Sequence, residues 1–200
     1  MAKLILATNN KNKLREIREI LADTGVSVLS QAEAGIQIEP EENGLTFAEN
    51  AEIKARAIFD AAKAQGFSSY VLADDSGLCV DALHGEPGVF SHRWAGENAS
   101  DADRIAKMLT VMRDIPDGQR GAHFACAMCL IAPDGEAHRF EGRVCGEILH
   151  EARGTNGFGY DPVFGIDGRS FAEFSAEEKN AVSHRHNALV QVLNYFETVK

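Results

Sequence analysis

No stretch of this sequence approaches the roughly 18–20 consecutive apolar residues that a membrane-crossing helix needs, so no transmembrane segment is expected. Proline is scarce, with five in 200 residues, and no Pro/Ser-rich linker, repeat or low-complexity tract divides the chain. A single domain over residues 1–200, with one or two lobes, is therefore expected. Positive charge is also short: 20 Lys and Arg face 30 Asp and Glu, a net charge of −10. Non-specific nucleic-acid binding relies on a broad cationic surface, so nucleic acid is not an expected partner. A polyphosphate can still bind if the few cations converge. The opening MAKLILATNNKNK turns basic and polar after a short apolar run. A secretory signal would need a longer apolar region and a small-residue cleavage site, so a cytoplasmic protein is expected.

There are four cysteines, Cys79, Cys126, Cys129 and Cys145, with neither a second CxxC nor an HExxH motif. The Cys126–Cys129 spacing lies in HFACAMCLIA, a strand-like run, where residues three apart point to opposite faces. Shared metal ligation and dithiol chemistry are disfavoured, and buried structural thiols are expected.

What is present alternates between apolar runs and helical patterns, which favours an α/β fold. Lys3–Thr8 reads as a strand; Leu14, Ile17, Ile20 and Leu21 then follow a helical stripe that stops at Gly25. Thr46 and Glu49 form a capping box ahead of a helix with Phe47, Ala51, Ala55, Ile58 and Ala62 on one face. A short strand, Tyr70–Ala73, is expected to end at Asp74-Asp75-Ser76-Gly77, with a second apolar piece over Leu78–Leu83. Ser100 caps a helix with Ile105, Leu109 and Met112 inward. Runs near 121–132 and 136–149 flank a Pro133-Asp134-Gly135 turn and predict a hairpin. A capping box at Ser175 precedes a last helix, starting near Ser183, that buries Leu189, Val192, Leu193 and Phe196.

Five segments carry possible chemistry. Thr8, Asn9, Asn10, Lys11, Asn12 and Lys13 join a strand to a helix, where free N–H groups and the positive helix end suit an anion. The pattern is not a Walker loop. Asp74 and Asp75 repel one another and point to opposite sides of a strand, so they have different tasks: one to hold a hard cation or activate water, the other to anchor the loop. Glu41-Glu42 sits beside a helix N-terminus and offers a further metal ligand, while Asn50 and Lys54 share a helix face at i,i+4. Gly154–Pro162 sets Phe158 and Tyr160 among three glycines, an arrangement that leaves a ring open to a planar base. Lys179, His184 and Arg185 supply donors that prefer a 6-oxo purine to adenine.

These segments, in this order, resemble the HAM1/inosine triphosphate pyrophosphatase family. The matching pieces are ATNNKNK, EENGLTFAENAEIKA from Glu41, VLADDSGLCVDALHGEPGVFSHRWAG from Val71, GTNGFGYDPVF from Gly154 and SAEEKNAVSHRHNAL from Ser175. The resemblance implies a long, twisted mixed β-sheet flanked by helices, in two lobes with a central substrate cleft. It also implies a homodimer and an Mg²⁺-dependent pyrophosphatase acting on unusual purine nucleoside triphosphates such as dITP, ITP and XTP.

Carried over by residue, Thr8, Asn10 and Lys13 bind the triphosphate, with Asn9, Lys11, Asn12 and Lys54 beside them. Glu42 and Asp75 hold Mg²⁺, Asp75 is the proton acceptor, and Ser76 touches the substrate. Phe158, Gly159, Tyr160, Asp161, Lys179, His184 and Arg185 enclose the base. Asn9, Asn12 and Asn156 stand where bacterial members often have glycine; asparagine tolerates left-handed backbone, so the loop shapes can survive. The expected reaction is attack of water at the α-phosphorus, giving the monophosphate and pyrophosphate. The alternatives are a Maf-like pyrophosphatase on other modified nucleotides and a nucleotide-sensing module that does not hydrolyse.

Overall fold

The computed structural model describes residues 3–199. Its elements run β1 (Lys3–Leu6), α1 (Lys11–Leu21), β2 (Ser27–Ser30), α2 (Phe47–Ala64), β3 (Tyr70–Val80), α3 (Asp101–Val111), β4 (Gly121–Ile131), β5 (Ala137–Ile148), β6 (Phe164–Ile166), β7 (Arg169–Ser170), α4 (Ala176–Val182) and α5 (His184–Thr198). The strands form one mixed seven-stranded sheet in the order β2-β1-β3-β4-β5-β6-β7. β1 pairs in parallel with β2 and β3, whereas β5–β6 and β6–β7 are antiparallel. This is the α/β class that alternating strand and helix patterns predict.

The chain forms two compact units. The first comprises the described residues up to Asp75, Cys126–Gly142 and the described residues from Arg185 onward. Its strands are covered on both faces, and the alternation of β1 shows how. Leu4 and Leu6 pack with Ile17 and Leu21 of α1 and with Leu189, Val192 and Phe196 of α5. Ile5 and Ala7 join Ala51, Ala55, Ile58 and Ala62 of α2. The Cys126–Ile131 part of β4 is buried at every position, as its continuous apolar run requires of a strand covered on both sides.

The second unit comprises Ser76–Ala125 and Arg143–His184. One face of its strands carries Leu78, Val80, Ala122, Phe124 and Ile148, packed with Met108 and Met112 from α3 and its C-cap and with Val163, Phe164 and Phe171.

Local capping signals correspond to real helix starts: Thr46, Ser100 and Ser175 each make a complete capping box. Other expectations need correcting. β1 ends at Leu6, two residues earlier than expected, and the short β2 had no clear sequence signal. Asp74-Asp75-Ser76-Gly77 does not end a strand: β3 runs through it without a break from Tyr70 to Val80. On α3 the deepest side chains are Arg104 and Met108, with Ile105 and Leu109 only partly buried. No described helix is long and apolar enough to cross a membrane.

The thiols divide by strand face. Cys126 belongs to the core under α1 and α5, and Cys129 to the core under α2. Burial pushes the Cys126 thiol up to about 12 and Cys129 to about 11. Cys79 is only half-buried and Cys145 is exposed, so the expectation of buried thiols holds for the central pair alone. Because the thiolate is the reactive form, alkylation of the folded protein should modify Cys145 fast, Cys79 slowly and the other two only after unfolding. Intact-mass measurement over time reads this directly; rapid labelling of Cys126 would contradict the packing.

Candidate active site

Site residues fall into two groups, one in each unit. In the first unit the chain leaves β1 and enters α1 through Thr8–Asn10. Asn10 is the N-cap: its side-chain oxygen accepts from the N–H groups of Asn12 (2.9 Å) and Lys13 (3.1 Å). Its own N–H donates to the Thr8 hydroxyl at 3.1 Å. The loop is thus held by its own side chains, and no acidic residue lies in the first turn of α1 to offset the positive helix end. Asn9 and Lys11 are exposed, while Thr8, Asn12 and Lys13 are half-buried. Arg18 turns away to Glu33 and the Val28 carbonyl, and Arg15 lies near Glu19. Asn9, Asn12 and Asn156 all keep negative φ, so none needs the left-handed freedom of glycine.

The adjacent carboxylates differ sharply. Asp74 is fully buried, with Lys13 Nζ at 3.0 Å and Arg185 Nη2 at 3.4 Å; Arg185 also donates to Glu16. Burial alone would raise the Asp74 carboxyl, but the Lys13 and Arg185 cations outweigh it and hold the group well below the usual carboxylate range. Asp74 is therefore an ionised anchor. Asp75 points the other way, as strand alternation demands. Its Oδ2 accepts from Asn50 Nδ2 at 3.1 Å, and its Oδ1 lies 3.7 Å from Lys54 Nζ. Burial raises its pKa against the pull of Lys54 and Lys13, with Glu42 adding to the rise.

Lys54 also reaches Glu42, at 2.9 Å, so one ammonium serves two carboxylates. Asn50, one turn before Lys54, accepts from the Gly44 N–H at 2.8 Å and so fixes the loop that carries Glu42. A Cβ on Gly44 would fall 2.7 Å from the Asn50 side chain, which is why that loop needs glycine.

Among the described residues no group of three or more His, Cys, Asp or Glu side chains is arranged around a metal position. The Glu42–Asp75 pair nevertheless suits Mg²⁺, which takes one or two carboxylates and completes its shell with water and phosphate oxygens. The Lys54 ammonium already lies between those carboxylates as a stand-in cation.

The second unit holds the other group. Asp161 Oδ2 accepts from the Phe158 N–H at 2.8 Å and from Lys179 Nζ at 2.6 Å. The same ammonium lies 4.8 Å from the centroid of the half-buried Phe158 ring. Gly157, at φ +74°, has no room for a side chain: a Cβ would sit 2.0 Å from Asp161 Oδ2. Gly159 is half-buried at φ +64°, and Ser76 is half-buried in β3.

Three residues have partners in the fold that the sequence does not reveal. Tyr160 is buried, and its hydroxyl donates to the Ser91 carbonyl at 2.9 Å, so its ring is not open to a base. His184 is buried and stacked on Phe124 at 4.9 Å. Arg185 has its guanidinium on Glu16 and Asp74.

Sequence reading placed Asn50 on the right helix face but assigned it no task, and it missed Glu16. The only signal for Glu16 was its helical spacing from Lys13 between the apolar Leu14 and Ile17.

Comparison with known proteins covers nearly the whole chain. A family model described as the Ham1 family matches residues 4–195. A protein of Streptomyces avermitilis named dITP/XTP pyrophosphatase is 49% identical over 197 residues, covering 96% of each chain. One of the same name from Photorhabdus laumondii is 48% identical, covering 97% of this chain and 98% of the relative. The solved structure of the Staphylococcus aureus Ham1 protein superposes with a TM-score of 0.85 at 38% identity, covering 99% of this chain and all of that one.

Proposed function

The chain belongs to the Ham1 family, and from that premise we propose that it hydrolyses dITP, ITP and XTP to the monophosphate and pyrophosphate, with Mg²⁺. The observation that carries the reading is the Glu42–Lys54–Asp75 cluster, a carboxylate pair around one cation in which Asp75 is pushed toward basicity.

In the first unit, the positive end of the Asn10-capped helix and the Lys13 and Lys54 ammonium groups hold phosphate oxygens. Mg²⁺, when bound by Glu42 and Asp75, offsets the phosphate charge. Asp75 accepts the proton of the attacking water, and Asn50 fixes the direction of its carboxylate. In the second unit, Phe158 stacks on the base, and Lys179, held by Asp161, presents an N–H toward a 6-oxo group. An adenine amino group would meet that donor with a donor, at a cost of about 1–3 kcal/mol for each group left unpaired. The proposal includes a homodimer in the cytoplasm, and the net charge of −10 argues against a nucleic-acid partner.

The test is pyrophosphate release from dITP, XTP, GTP, dATP and TTP, with Mg²⁺ and with EDTA. Fast turnover of dITP and XTP that EDTA abolishes is expected, with little from the other three. Activity confined to pyrimidines would move the reading to a Maf-like enzyme, and binding of dITP without turnover would make the protein a sensor.

A further inference from the structure

The loop that carries Phe158 lies outside helix and strand, yet two consecutive N–H groups in it end on carboxylates. The Phe158 N–H donates to Asp161, within the loop, and the Gly159 N–H donates to Asp101 Oδ2 at 2.8 Å. Asp101 is the first residue of α3, 58 positions away in sequence. Its other oxygen is held by Arg104, a buried side chain that also donates to the carbonyls of His92 (2.8 Å) and Ala99 (2.6 Å). The carboxylate is thus oriented from behind and directed at Gly159. Burial opposes its ionisation, and the Gly159 N–H with Arg104 more than compensates, leaving the carboxyl below its ordinary value. An ordinary helix-start aspartate paired at i,i+3 would account for Arg104. It would not account for the second oxygen reaching a glycine at φ +64° next to Phe158.

We propose that Asp101 is a positioning residue for the base: its carboxylate fixes the Gly159 N–H and thereby sets the Phe158 ring before substrate arrives. This rests on the reading of Phe158 as the stacking residue. A loop set in advance binds more tightly because less ordering remains to be done on binding. Loss of the anchor should therefore appear in KM and leave the chemical step alone.

The experiment compares Asp101→Ala and Asp101→Asn with the unaltered protein, by dITP kinetics and by hydrogen exchange at the Gly159 amide. In Asp101→Ala, KM should rise about tenfold with kcat changed less than about threefold, and Gly159 exchange should accelerate by at least about tenfold. Asparagine keeps an oxygen that can accept from Gly159, so Asp101→Asn should hold KM within about threefold of the unaltered value. An unchanged KM in Asp101→Ala overturns the proposal. So does an Asp101→Asn variant as impaired as alanine, since the pair with Arg104 would then be what matters. If the unaltered protein does not turn over dITP, the proposed reaction is wrong. Gly159 exchange then decides the anchor alone, and protection unchanged in Asp101→Ala overturns it.

Discussion

Asparagine at position 75 should lower kcat about a thousandfold and should not lower the thermal midpoint of the protein. The activity loss follows from chemistry: an amide of the same shape cannot accept the water's proton, and a positioned general base supplies roughly 10²–10⁴ in rate. The retained stability follows from burial. The Asp75 carboxyl is raised in the fold, so the folded state holds that proton more tightly than the unfolded chain does. Stability from this group is present at low pH and is lost as pH rises from the ordinary carboxylate value through the raised one. At neutral pH the ionised Asp75 is a burden on the fold that asparagine removes, while Lys54 keeps Glu42 at 2.9 Å. Pyrophosphate release and calorimetry without divalent cations measure the two effects. A variant that retains more than about a tenth of the activity excludes Asp75 as the proton acceptor.

One residue earlier, the same replacement does the opposite. Asp74→Asn should cost about 3–5 kcal/mol, since neutralising one member of a buried ion network leaves buried positive charge in excess, with Glu16 alone facing Arg185. Lys13 and Arg185 would both face a neutral amide, with Arg185 only 1% exposed. For a chain of this size the midpoint should fall by roughly 10 °C. The pH dependence is reversed too. The Asp74 carboxyl lies below its unfolded value, so its contribution is complete above the ordinary carboxylate range and is lost as pH falls through the depressed folded value. Denaturant unfolding of the variant measures the cost. A loss under about 1 kcal/mol would show that the network is solvated and that Asp74 does not anchor the loop.

These neighbours also mark where sequence reading stops. Capping boxes at Thr46, Ser100 and Ser175 depend on residues three apart, so local chemistry settles them. The β4–β5 hairpin and the i,i+4 placement of Asn50 and Lys54 were legible for the same reason. Asp-Asp-Ser-Gly, judged locally, has the composition of a turn. What keeps β3 extended there is remote: one partner of Asp74 lies 111 residues away. The same separation hides the partners of the donors near the C-terminal helix. In the sequence His184 and Arg185 are hydrogen-bond donors at a helix start; in the fold one stacks on Phe124 and the other is held by Glu16 and Asp74. Glycine neighbours suggest an open loop at Tyr160, whereas the Ser91 carbonyl gives its hydroxyl a buried partner.

The Lys13–Asp74–Arg185–Glu16 network also fixes an order of assembly. Its members come from α1, the middle of β3 and the second position of α5. Contacts so far apart in sequence form only after most of the chain has been brought together, and a chain emerging from the ribosome meets them last. Until residue 185 is available, Asp74 lacks one of the cations that offset its burial, and Lys13 faces an aspartate with no second anchor. The Thr8–Lys13 loop and its Asp74 anchor are therefore among the last parts of the first unit to become rigid. A partly made chain can contain every residue of the N-terminal loop without having its geometry.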